Sequence, residues 1–127
     1  MIDQFLHASI IVSNTHKSID FYCGCFDFKL DEARPELGFP GAWLHSGNFE
    51  LHLLEVPNPD PINNRPAHGG RDRHLAFAVS DLDAIIDKLN VQQVTFTLSK
   101  SGRRALFCRD PDGNALEFVE IKKDRHE

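Results

Sequence analysis

Residues 7–13 and 74–80 of the chain read HASIIVS and HLAFAVS: a histidine, four mostly apolar residues, then Val-Ser, repeated 67 positions on. At the same spacing Ile19 and Asp20 recur as Ile86 and Asp87. The far ends of the two halves match as well, with LHLLE at 51–55 lying over LEFVE at 116–120, 65 positions apart. Two residues of slippage are what hairpins of slightly different length produce. This self-match restricts the chain to paired copies of one supersecondary unit. A half of about 60 residues buries too little apolar surface to be comfortable alone.

Each half carries the same order of elements. Residues 5–13, rich in Ile and Val, read as a strand. Ser13, Asn14 and Thr15 offer helix-cap chemistry, and Ile19, Tyr22 and Phe26 then recur at three to four residues, the helical period. Shorter strands follow at 28–30, 42–44 and 49–56, separated by Gly and Pro. The second half predicts a strand at 73–79, a helix from about Asp81 to Leu89 capped by Ser80 or Asp81, and strands near 94–98, 104–108 and 115–121. Asp110, Pro111, Asp112 and Gly113 form a strong turn signal before the last strand. The expected fold is therefore α+β, two βαβββ modules at about 5–56 and 73–121 within a single domain spanning 1–127. Between them, residues 57–72 hold four Pro, two Gly and three Asn with no period. Such a stretch serves as a linker or, given His68 and Arg71 within it, as a lid over a ligand.

Strand alternation sorts side chains onto faces. His7, Ser9 and Ile11 share one face of the first strand, and His74, Ala76 and Ala78 share the corresponding face of its counterpart. On that second strand the bulky row Leu75, Phe77 and Val79 points the other way, toward the helix. The matched final strands set His52 against Glu117. If the modules pack about a pseudo-twofold axis, His7, His52, His74 and Glu117 converge. Three imidazoles and a carboxylate suit Zn, Ni, Fe, Co or Mn. Glu50, two residues before His52 and on its face, is the fallback ligand or a supporting partner. His16, His45, His68 and His126 have no repeat-related partner and read as surface or loop residues, His68 being the most suggestive.

The balance of 14 basic and 19 acidic side chains gives a net charge of −5, without the basic stripe that nucleic-acid binding needs. No apolar run approaches the roughly 18 residues that span a bilayer, and no secretory leader is present, so a cytoplasmic protein is expected. Cys23, Cys25 and Cys108 are an odd set without CxxC spacing and predict no disulfide framework. Arginines cluster at Arg71, Arg73, Arg103, Arg104 and Arg109. The first four are candidates to hold an anionic substrate group.

On these residues the chain resembles the vicinal oxygen chelate superfamily of glyoxalase I, methylmalonyl-CoA epimerase, extradiol dioxygenases, fosfomycin-resistance transferases and bleomycin-binding proteins. The resemblance covers about residues 5–121. It rests on His7 with the Ile10 to Ser13 run, on SIDFY at 18–22, on RHLAF at 73–77, and most specifically on DPDGN at 110–114 followed by Leu116 and Glu117. It implies paired βαβββ modules forming an open mixed-sheet barrel around a metal, often as a homodimer. His7, His74 and Glu117 match the superfamily's metal ligands. His52 stands where glyoxalase I and the epimerase carry Glu or Gln, a departure that removes one carboxylate from the metal.

The function expected is that of a metal-dependent glyoxalase-like enzyme of isomerase or lyase type, acting on a small anionic carbonyl substrate with Glu117 or Glu50 as general base. One alternative is an Fe(II) extradiol-type dioxygenase, which two His and one carboxylate would suit, with His52 counting against it. The other is a small-molecule binding or resistance protein, including a fosfomycin-type thiol transferase. The fold alone does not choose among these.

Overall fold

A computed structural model describes residues 1–99 and 101–122, and His126 lies outside the described residues. The chain divides into two compact units, Met1–Pro61 and Ile62–Glu127. Each is one βαβββ module, as the repeat predicts. The first unit contains β1 (His7–Ile11), α1 (Thr15–Phe26), β2 (Lys29–Asp31), β3 (Gly41–Ser46) and β4 (Phe49–Leu54). The second contains β5 (His74–Val79), α2 (Leu82–Val91), β6 (Phe96–Leu98), β7 (Ala105–Arg109) and β8 (Ala115–Glu120). Its strands are preceded by a single 3-10 turn at Gly69–Arg71, inside the stretch expected to lack structure.

The strands form two four-stranded mixed sheets of equivalent order, β1-β4-β3-β2 and β5-β8-β7-β6. In each, the first strand runs parallel to the last and the remaining pairings are antiparallel. Register confirms the repeat residue by residue. Ser9 faces His52 across β1 and β4, and Ala76 faces Glu117 across β5 and β8. Trp43 lies beside His52 on the other flank, as Phe107 lies beside Glu117.

Each helix starts where the sequence supplies an acceptor. Asn14 Oδ1 accepts from the Lys17 amide at 3.0 Å, and Asp81 Oδ1 from the Ala84 amide at 3.2 Å. A second acceptor comes from the end of the last strand. Glu55 Oε1 accepts from the amide and hydroxyl of Thr15 at 2.8 and 3.0 Å, and Glu120 Oε2 from the Leu82 amide at 2.9 Å. The donation by Thr15, its amide first, holds the Glu55 carboxyl below its ordinary range. Helix α1 ends at Asp27, whose left-handed φ of 58° closes the last turn.

The core of each unit lies on the sheet face opposite the histidines. In the first it comprises Tyr22 and Cys25 of α1 with Ala42, Leu44, Leu51 and Leu53, all buried. Tyr22 meets Phe28 edge to face at 5.7 Å. In the second, Leu82 and Leu89 of α2 pack with Leu106, Leu116 and Phe118, and Phe77 stacks on Phe118 at 5.4 Å. Burying each of these leucines contributes about 1.5–3 kcal/mol. The Asp110 turn between β7 and β8 is closed by its own carboxylate, which takes the amides of Asp112 and Asn114 at 2.9 Å each. Gly113 provides the positive φ of 83° that the turn requires.

Candidate functional site

In the first unit the parallel pairing of β1 with β4 sets His7 beside Glu50 and Ser9 beside His52 on one face. The His7 and His52 rings stack at 3.8 Å between centroids with 18° between planes. On its other side His52 lies against Trp43, at 4.5 Å and 9°. His52 is thus gripped between two flat rings, which fixes its plane. Its Nε2 is 3.3 Å from Glu50 Oε1. The His52 side chain is 12% exposed and that of Glu50 44%, so the carboxylate reaches outward while the imidazole does not. A cavity of about 460 Å³ opens over these residues, with Arg34, Leu37 and Phe39 on its walls.

In the second unit His74 and Glu117 approach each other, Nε2 to Oε1, at 3.3 Å. His74 Nδ1 is 2.9 Å from the Asp72 carbonyl oxygen. A carbonyl only accepts, so Nδ1 carries the hydrogen, and a ring protonated there alone turns the lone pair of Nε2 toward the carboxylate. Two acceptors facing each other at that distance call for a cation or a proton between them. Glu117 is 6% exposed at its side chain, and its second oxygen takes Arg103 Nη2 at 3.1 Å. Phe107 sits edge-on to His74 at 5.3 Å. A cavity of about 760 Å³ adjoins the pair, lined also by His68, Arg71, Ser99 and Ser101.

The other arginines separate. Arg73 is exposed, and its amide donates to Asp72 Oδ1. Arg104 binds Glu120 at 3.1 Å and Asp83 of α2, on the helix side of its sheet. Arg109 binds Asp72 and the Gly113 carbonyl at 2.8 Å and reaches the Pro66 carbonyl. With Arg65 it holds the loop before β5 in place. The hydrogen bonds from Arg65, and then Arg109, keep the Asp72 carboxyl well below the usual carboxylate range. His68 is no bare surface residue, since its Nδ1 accepts from the Gly70 amide at 3.0 Å and its ring meets Phe107 at 4.9 Å. None of the three cysteines is disulfide-bonded, and burial pushes the Cys23 thiol up, away from a reactive thiolate.

Each unit therefore presents a pair of metal-competent side chains on one sheet face beside a cavity. Among the described residues no three His, Cys, Asp or Glu side chains are clustered closely enough to hold an ion. The donors of each unit, two imidazoles in the first and an imidazole with a carboxylate in the second, are of the kinds that suit a borderline divalent ion, and the tautomer that Asp72 imposes on His74 is the one a metal-binding imidazole needs. The sequence reading missed Trp43, Phe107, Ser99 and Ser101. The first two could have been found by laying β3 over β7, where both occupy the position flanking the matched pair His52 and Glu117.

A family model described as the Glyoxalase/Bleomycin resistance protein/Dioxygenase superfamily matches residues 4–118. Among similar proteins, the uncharacterized protein YaeR of Escherichia coli is 34% identical, the match covering 94% of this chain and 97% of YaeR. A lactoylglutathione lyase of Neisseria meningitidis serogroup A is 26% identical, with 94% of this chain and 91% of that protein covered. In fold, the chain is similar to a mutant of the fosfomycin resistance protein FosX from Listeria monocytogenes, solved with Mn(II) and 1S,2S-dihydroxypropylphosphonic acid. The TM-score is 0.76 at 16% identity, over 94% of this chain and 93% of that one. The repeat, the βαβββ modules and the family match agree, and the chain belongs to the glyoxalase/bleomycin resistance protein/dioxygenase superfamily.

Proposed function

We propose that the chain is a metal-dependent glyoxalase-like enzyme that moves a proton on a carbon beside a carbonyl of a small, anionic, oxygen-chelating substrate. In this reading residues 1–127 act as one domain, in a cytoplasmic homodimer. His7 and His52 of the first module and His74 and Glu117 of the second hold one divalent ion, Zn, Ni, Fe, Co or Mn. The observation that carries the reading is the register equivalence of two donor pairs. His7 with His52, and His74 with Glu117, occupy the same strand positions, each pair in contact and beside a cavity. The lactoylglutathione lyase among the relatives supports lyase chemistry.

The bound ion supplies Lewis-acid polarisation of the substrate carbonyl. The rest falls to the chain's own residues. Glu50, the more exposed of the two carboxylates, is the general base that receives the substrate proton. Glu117, buried and engaged by His74 and Arg103, serves as ligand. Trp43 and Phe107 hold the ligand rings in plane, Leu37 and Phe39 keep water from one cavity, and Arg71 and Arg103 orient the substrate's anionic group in the other.

Metal analysis by mass spectrometry of tag-free protein tests the site: about one equivalent per chain is expected, lost in His74→Ala. Exchange of deuterium from solvent into candidate carbonyl compounds tests the chemistry and should disappear in Glu50→Gln. Wild-type protein that takes up no ion even after reconstitution would turn the reading toward a metal-free binding module. A second reading, a resistance protein acting on an anionic drug, draws on the basic, hydroxyl-lined cavity beside Glu117 and is tested by ligand-induced thermal shifts.

A further inference from the structure

Arg103 touches two different things. Its Nη2 lies 3.1 Å from Glu117 Oε2, and its Nε lies 3.4 Å from the Ser101 hydroxyl. The arginine side chain is 60% exposed while the carboxylate is 6% exposed, so a solvated arm reaches down to a buried acid. The guanidinium is permanently charged. A divalent ion held between His74 Nε2 and Glu117 Oε1 binds the same carboxylate through its other oxygen and sets two positive charges within a few ångströms of a third. Metal and Arg103 therefore compete for Glu117.

The alternative place for the arginine is the cavity of about 760 Å³ on whose wall it already stands. Arg71, His68, Ser99 and Ser101 line it, and among the described residues Glu117 is its only acidic lining side chain. Ser99 and Ser101 bond to each other through their hydroxyls at 2.8 Å, and Ser101 Oγ also accepts from the Arg103 amide at 3.3 Å. A guanidinium leaving Glu117 would find the hydroxyls of Ser99 and Ser101 and the guanidinium of Arg71 on that wall. That is the environment of an oxyanion.

We infer that Arg103 is a shared side chain. It neutralises Glu117 in the metal-free protein and, once a divalent ion takes Glu117, turns to an oxyanion (sulfate, phosphate or carboxylate class) in this cavity. Metal and anion then bind with positive coupling, and the coupling is reciprocal. The inference rests on the reading of Glu117 as a metal ligand.

Equilibrium titration with Co(II), followed by visible absorption, tests it on wild type, Arg103→Met and Glu117→Gln, with sodium sulfate or acetate against sodium chloride at matched ionic strength. In chloride, Arg103→Met should bind Co(II) about twofold to fivefold more tightly than wild type, the range for a partly exposed ion pair removed as a competitor. Sulfate or acetate should tighten Co(II) binding to wild type and leave Arg103→Met unmoved, the more effective anion identifying the geometry preferred. Equal or weaker Co(II) binding by Arg103→Met, or an anion effect that survives in it, overturns the coupling. If Glu117→Gln binds Co(II) as wild type does, or no protein binds it, the metal reading itself falls, which is a different result.

Discussion

A histidine in a strand is ordinary, and His52 becomes informative only through what lies flat on it. His7 stacks on one face of its ring and Trp43 on the other. The sequence made His7 and His74 visible as repeat partners, but the Trp43 contact depends on the β3–β4 register, which no local pattern fixes. Arg103 and Arg104 illustrate the same gap. They are neighbours in the bend before β7, yet one reaches Glu117 and the other Glu120, acids three residues apart on β8 and therefore on opposite faces of the sheet. Trp43 is the chain's single tryptophan, so its emission reports on His52 without labelling. Titration with Ni(II) or Co(II) should quench that fluorescence saturably, and Trp43→Leu should weaken metal binding about tenfold, as loss of a ligand's supporting contact does. Unchanged emission at a stoichiometry proved by mass spectrometry would remove His52 from the ligand set.

At the scale of elements, most boundaries were legible because caps and turns are local chemistry. Asn14, Asp81 and the Asp110 turn all act where the sequence puts them. The first strand is shorter than the apolar run, His7–Ile11 rather than 5–13, because Phe5 and Leu6 find no strand partner. What could not be read is that Glu55 and Glu120, matched in the repeat, each hold the start of their module's helix, a contact across about 40 residues. Glu55 makes a pH prediction. Its folded carboxyl titrates below its ordinary value of 4.5, so its stabilisation is complete above that value and is lost as pH falls through the lowered one. Thermal melts of Glu55→Gln should lie below wild type at pH 7, and the two should draw together as acid is added. A constant gap at all pH values would mean that charge is not what Glu55 contributes.

For the whole molecule, the repeat announced two modules and the resemblance announced their superfamily, but neither specified what each module holds alone. In the proposed site each supplies half of the donor set, so the ion should stabilise both. Saturation to about a hundred times the dissociation constant contributes about 2.7 kcal/mol. A divalent ion should therefore raise the melting temperature of wild type, and His7→Ala in the first module should abolish that rise as fully as Glu117→Ala in the second. A rise lost only with Glu117→Ala would confine the ion to the second module.

The carboxylates at 55 and 120 are identical in the two halves, whereas three positions earlier the halves differ, histidine at 52 and glutamate at 117. One backbone has thus accepted an imidazole in one copy and a carboxylate in the other, while the contact that secures its helix stayed the same. The chain is its own record of a substitution experiment. The helix contact and the residue at the matched site position are written in separate letters, so exchanging one residue at 52 or 117 should alter the proposed site without reinventing how the module folds.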